Sequence, residues 1–100
     1  MITVHDTFVC KPGNAGKLAK LFKEWADLRP AKINTKVMTD MTGQFHRVIV
    51  SGDWESLAVY EEELKHMMEN QTPEEKAGMD KFKDMNEMYV SGSREIYKVW

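Results

Sequence analysis

The stretch Lys32–Ser56, KINTKVMTDMTGQFHRVIVSGDWES, decides the fold. Two runs rich in β-branched and apolar residues, 32–39 and 44–51, flank Asp40-Met41-Thr42-Gly43, whose ends carry turn-forming types, so the stretch predicts a β-hairpin. In its second arm Val48 and Val50 alternate with Phe45 and Ile49, which leaves apolar groups on both sides of the strand. An antiparallel sheet wetted on one side shows cleaner alternation, so the sheet is expected to be covered on both faces. Past the hairpin, Asp53 stands where its carboxylate can accept from the free amides of a helix's first turn. Leu57, Tyr60, Leu64, Met67 and Met68 then follow at helical spacing.

Upstream of the hairpin, Leu18, Leu21, Phe22, Trp25 and Leu28 recur at steps of three and four, predicting a helix over 15–28 capped by Asn14 and stopped by Pro30. Residues 2–10 read as a strand, with Ile2, Val4 and Phe8 on one parity and Thr3, His5, Thr7 and Val9 on the other; it ends at Lys11-Pro12-Gly13-Asn14. Downstream, a break at Asn70-Gln71 precedes Thr72-Pro73-Glu74-Glu75, which combines a cap, a proline at the first helical position and a glutamate placed for a capping box. The stripe Met79, Phe82, Met85 and Tyr89 continues that helix until Ser91-Gly92-Ser93 turns into a last strand, 94–100. The order β-α-β-β-α-β is the ferredoxin-like α+β plan: a four-stranded antiparallel sheet with helices on one face. The last strand also mixes Ile96 with Tyr97, Val99 and Trp100, so the face left open by the helices is expected to be buried against a second copy of the chain in a homodimer.

A chain of 100 residues matches one domain, 1–100. With 42% apolar and 30% charged residues, six Gly and three Pro, it is a globular composition rather than a disordered or fibrous one. Fourteen basic against sixteen acidic residues give a net charge of −2, with neither sign gathered into a run that would attract phosphate backbones, which argues against nucleic acid as a partner. Cys10 is the only cysteine, so no intrachain disulfide can form. The start Met-Ile-Thr-Val-His-Asp lacks the features of a secretory signal, and no segment is long enough to span a bilayer. No membrane partner and a cytoplasmic location are expected.

The junction Gly52-Asp53-Trp54-Glu55-Ser56, followed by Tyr60, and the closing run Arg94-Glu95-Ile96-Tyr97-Lys98-Val99-Trp100 are similar to the corresponding parts of the dimeric α+β barrel superfamily. That superfamily takes in the stress-responsive A/B barrel domains, the antibiotic-biosynthesis monooxygenases, the haem-degrading monooxygenases and the NIPSNAP-type proteins. The resemblance covers the full length as element order. It implies a homodimer whose sheets face each other in a barrel, with a pocket between each sheet and its own helices. Haem-degrading members carry an Asn on the first strand and a Trp and a His on the second helix. Here the strand has His5-Asp6-Thr7, Trp54 lies at the helix start and Glu63 stands about where the tryptophan is expected, so the chain departs from the haem-cleaving pattern. One fold of this kind hosts several activities, and function rests on the site.

His5 is the candidate catalytic residue: an imidazole suits proton transfer, and with Thr3 and Thr7 it either lines the pocket or sits as a hydrogen-bonded histidine at the subunit interface. The three histidines, 5, 46 and 66, fall on three elements, and Glu63-Leu64-Lys65-His66 is a single Glu-x-x-His step where di-iron helices need two and further glutamates, so no metal site is expected. Arg47 could bind a ligand carboxylate or pair across the dimer. Trp25, Trp54, Tyr60, Phe82 and Tyr89 would wall a cavity for a small apolar or aromatic ligand, or build the core. Met67, Met68, Met79, Met85 and Met88 would pad either one. No Gly-rich phosphate loop, Ser-x-x-Lys pair or nucleophile elbow occurs, and no cofactor is expected. Three functions stay open: binding a small molecule between sheet and helices without an assigned reaction, cofactor-free monooxygenation of an aromatic or quinol-like substrate, and a structural or regulatory homodimer with no ligand.

Overall fold

The computed structural model describes residues 1–42, 46–69, 72–80 and 82–100, with the side chains of residues 75, 78 and 79 left aside. Its elements are β1 (Ile2–Cys10), α1 (Ala15–Asp27), β2 (Lys36–Thr39), β3 (Arg47–Trp54), α2 (Leu57–Glu69), α3 (Pro73–Asp80) and β4 (Tyr89–Lys98). The strands form one antiparallel sheet in the order β2-β3-β1-β4, the ferredoxin-like arrangement expected from the element order.

Register separates the two faces. Val4, Asp6 and Phe8 stand opposite Gly52, Val50 and Val48, and these positions point toward the helices: Phe8 stacks on Phe22 of α1 at 5.2 Å, and Val48 has no exposed surface. The other parity, Thr3, His5, Thr7 and Val9, lies opposite Asp53, Ser51, Ile49 and Arg47 and points away from the helices. The core is centred on Cys10, Leu18 and Val48, with Phe8, Phe22, Val37, Met85, Met88 and Tyr89 packed around it. Leu18 is fully buried beneath α1, so the stripe read from sequence is the face that docks. Leu28, read as part of that stripe, is exposed because α1 has already ended at Asp27. Asn14 holds the N-cap position through its backbone carbonyl, which accepts from Leu18 N–H at 3.0 Å, and its side chain makes no cap bond.

Four boundaries differ from the sequence reading. The first hairpin arm does not start at Lys32: a 3₁₀ turn, Ala31–Ile33, buries Ile33, and Asn34 in the left-handed region (φ 51°) redirects the chain before β2 starts at Lys36. The second arm, read as 44–51, runs on to Trp54 and so takes in Asp53; Gly43 of the turn and residues 44 and 45 of the arm lie outside the described residues, and His46, just before β3, has a φ of 66°.

The third difference is the start of α2. Asp53 stays in β3, where its carboxylate accepts from the Thr3 hydroxyl at 2.7 Å and the Asn34 amide at 3.4 Å. The cap is Ser56, whose Oγ accepts from Val59 N–H at 3.2 Å. The fourth is β4, which begins at Tyr89 rather than Arg94. The Met85 and Tyr89 positions therefore belong to a 3₁₀ turn and a strand, not to one helix. Ser91-Gly92-Ser93 does not turn but pairs with Val9, Phe8 and Thr7, next to a register shift at Val9/Cys10. A Cβ at Gly92 would meet the Phe8 ring at 3.4 Å, so the missing side chain leaves room for that ring on the neighbouring strand. The break at 70–71 lies outside the described residues, and α3 starts at Pro73, as its capping signal predicts.

Candidate functional site

Away from the Cys10–Leu18–Val48 core, the helix-facing side of the sheet keeps a cavity of about 110 Å³. Val4 and Val50 of the sheet and Leu64 and Met67 of α2 supply apolar lining, and Trp25, Trp54 and Tyr60 line it with rings. The Trp54 and Tyr60 rings meet edge to face at 4.9 Å. Trp54 reaches back along its own strand: a Cβ at Gly52 would lie 2.7 Å from the indole, so only glycine lets the ring lie there.

Two ion pairs also line the cavity. Asp6 and Arg94 are cross-strand partners on β1 and β4, and the guanidinium donates twice to the carboxylate, at 2.6 and 3.0 Å. This hydrogen bonding to Asp6 holds the Arg94 proton even more firmly than usual. The Arg94 guanidinium also lies 6.0 Å from the centroid of the Tyr60 ring. Burial pushes the Tyr60 phenol above its ordinary range despite the opposing pull of Arg94. The second pair joins Arg29, just past α1, to Glu63 of α2. Glu63 also accepts from the Trp54 indole N–H at 2.5 Å, and Arg29 lies over the Trp25 ring at 5.1 Å. Among the described residues, Arg29 Nε and the Thr35 hydroxyl are buried in this lining without a hydrogen-bond partner. Two guanidinium groups against two carboxylates leave the lining near neutral.

Trp25, Trp54 and Tyr60 thus come together at the cavity. Phe82 and Tyr89 do not: they end a separate aromatic chain, Phe82–Phe22–Phe8–Tyr89, with centroids 5.3, 5.2 and 5.1 Å apart. His5 lies on the opposite face of the sheet, edge-on to Tyr97 at 5.5 Å, because odd positions of β1 point away from the helices. Arg47 pairs with Asp40 at the hairpin (3.6 Å), a partner within its own chain that the sequence reading did not name. Glu63 is engaged by Arg29 and Trp54, and no group of three or more His, Cys, Asp or Glu among the described residues could hold a metal ion. Cys10 is buried, and burial raises its thiol pKa, which makes it a core residue rather than a nucleophile. Met67 lines the cavity, Met85 and Met88 pack on the core, and Met68 is exposed. Among the described residues, no helix is long and apolar enough to cross a membrane.

Sequence reasoning missed Asp6, Arg29, Thr35 and Arg94. The available signal was parity: Asp6 is a lone charge on the Val4/Phe8 side of an otherwise apolar run, and Arg94 has the same relation to Ile96.

No family model and no curated protein matches the chain in sequence. Solved structures do. An uncharacterised NIPSNAP-like domain protein from Burkholderia xenovorans superposes with a TM-score of 0.76 over 99% of this chain and 84% of its own, at 17% identity. A NIPSNAP family protein from Agrobacterium tumefaciens gives 0.73 over 97% and 90%, at 19% identity. A candidate antibiotic biosynthesis monooxygenase from Deinococcus radiodurans gives 0.67 over 100% and 93%, at 16% identity. The fold is that of NIPSNAP-like and antibiotic-biosynthesis-monooxygenase-like proteins. At these identities the likeness reaches the backbone arrangement and stops short of the chemistry.

Proposed function

We propose that the chain binds a small, ring-containing apolar molecule in the cavity between its sheet and helices. The observation that carries this is the aromatic-walled cavity of about 110 Å³, which its own side chains leave unfilled. An apolar space of roughly 150 Å³ holds benzene, so a space of about 110 Å³ takes a single ring once the side chains lining it give way slightly. The intact cavity argues against the ligand-free structural reading.

The monooxygenase reading draws on the candidate monooxygenase from Deinococcus radiodurans as a neighbour, but the lining favours binding. The groups there able to take a proton are Asp6, Glu63 and Tyr60: the first is held by Arg94, the second by Arg29 and Trp54, and the third is pushed upward. His5 is on the other face of the sheet. A polycyclic quinol would also exceed the volume.

The same proposal includes a homodimer through the open face, where Val9 and Ile49 are joined by exposed Met38, Tyr97 and Val99. A second copy is the occupant that an isologous apolar face fits best. The test of ligand binding is thermal: saturating toluene or phenol should raise the midpoint of unfolding by about 5 °C, as roughly 1 kcal/mol of ligand stabilisation does in a chain of this size. No shift at any soluble concentration would defeat the proposal.

A further inference from the structure

Two residues of the cavity lining each bring a buried polar atom that has no partner within the chain: Arg29 its Nε and Thr35 its hydroxyl. A buried donor left unpaired carries its full desolvation penalty, so such atoms are rare and each calls for an explanation. Arg47 Nε is the one other such atom among the described residues; it stands outside the lining and is answered by the Asp40 carboxylate at 3.6 Å. No such neighbour answers the two in the cavity. Arg29 is fixed from two sides, since its guanidinium pairs with Glu63 and lies over the Trp25 ring at 5.1 Å. Thr35 stands one residue before β2 and shares the parity of Val37, which pairs with Val50 on the helix side of the sheet. The pleat that turns Val50 to the cavity therefore turns Thr35 there too. Arg29 Nε can only donate, and a hydroxyl can donate or accept, so what both lack is an acceptor. A bare hydrocarbon ring supplies none.

We infer that the ring taken up by the cavity carries a neutral oxygen acceptor, a phenol hydroxyl or a ring-bound carbonyl, for the Arg29 Nε–H and the Thr35 hydroxyl. This inference rests on the ring-binding reading above and adds to it the substituent that the ring bears. The oxygen is neutral because the two guanidinium groups of the lining are already answered by Asp6 and Glu63. Burial, which pushes the Tyr60 phenol up in the same lining, likewise disfavours a bound phenolate. A water molecule in the cavity would meet the same two donors. An oxygen on the ring replaces the bonds of such a water, whereas a methyl group in its place forfeits them.

The test compares toluene with phenol, which exchange a methyl for a hydroxyl on the same ring, by calorimetry on the full chain and on two variants of it. Thr35→Val keeps the shape of the side chain and removes its hydroxyl; Arg29→Lys keeps the charge facing Glu63 and removes Nε. Each replacement should lower the affinity for phenol relative to that for toluene about fivefold, the factor expected of one hydrogen bond. Taking the ratio cancels the unequal cost of removing the two probes from water. Urea unfolding of ligand-free Thr35→Val should show no loss of stability, because the hydroxyl bonds to nothing in the chain. If toluene binds and the phenol-to-toluene ratio is the same in all three proteins, or if Thr35→Val loses stability without ligand, the oxygen-bearing ring is wrong and ring binding stands. If neither probe binds the full chain, the ring-binding reading fails and takes this inference with it.

Discussion

Gly52 and Trp54 show how one absent side chain shapes the site. With the would-be Cβ 2.7 Å from the indole, Gly52→Ala must push the ring off the strand. Overpacking of this kind costs about 1–3 kcal/mol, and the displaced ring should lower toluene affinity roughly tenfold. Denaturant unfolding and calorimetry on one variant check both. Unchanged stability and unchanged affinity would mean that the ring does not need the glycine. Tyr60 makes a second prediction at this scale. Its folded-state pKa lies above its ordinary value, so the stabilising contribution is complete below about pH 10 and is lost as pH rises through the raised value. The alkaline fall in stability should therefore be shallower in Tyr60→Phe. The ultraviolet difference between the two proteins should show the missing phenol ionising above the usual range.

At the scale of elements, the parts legible in the sequence are those whose signal is local and periodic. The stripe of α1, the alternation of β1 and the proline start of α3 describe surfaces that a single segment presents by itself. The misplaced boundaries share another cause, since each is settled by a partner distant in sequence. Asp53 has the right side chain for a cap, yet Thr3 and Asn34 claim it, and Ser56 caps α2 instead. Ser91-Gly92-Ser93 has the composition of a turn, yet β1 pairs with it and the Phe8 ring fills the space beside Gly92. Ser56→Ala should then cost about 1 kcal/mol of stability through loss of the cap, measurable by urea unfolding. A result near zero would return the capping role to another residue. The candidate site divides in the same way. Its aromatic rings Trp25, Trp54 and Tyr60 could be read from bulk and spacing, but the Asp6–Arg94 and Arg29–Glu63 pairs join residues far apart in the chain and needed the register to be seen. Placing His5 required the parity of β1 against α1, which the sequence left open between two faces.

At the scale of the molecule, one sheet separates two kinds of surface. The helix side holds the core and the cavity, and the other side carries Val9, Ile49, Met38, Tyr97 and Val99 without a cover from this chain. Sedimentation at micromolar concentration should give twice the chain mass of 11.6 kDa, and a charge at the centre of the open face, Ile49→Lys, should return it to the monomer. A wild-type monomer would contradict the homodimer. The claim that matters most is that the cavity between sheet and helices takes up a small ring. It is tested most directly by nuclear magnetic resonance on the full chain, following the methyl groups of Val4, Val50, Leu64 and Met67 and the Trp54 indole N–H while toluene is added. Saturable shifts should appear at these groups, with Val9 and Ile49 on the opposite face unmoved; shifts confined to the open face, or none at all, would overturn ring binding in the cavity.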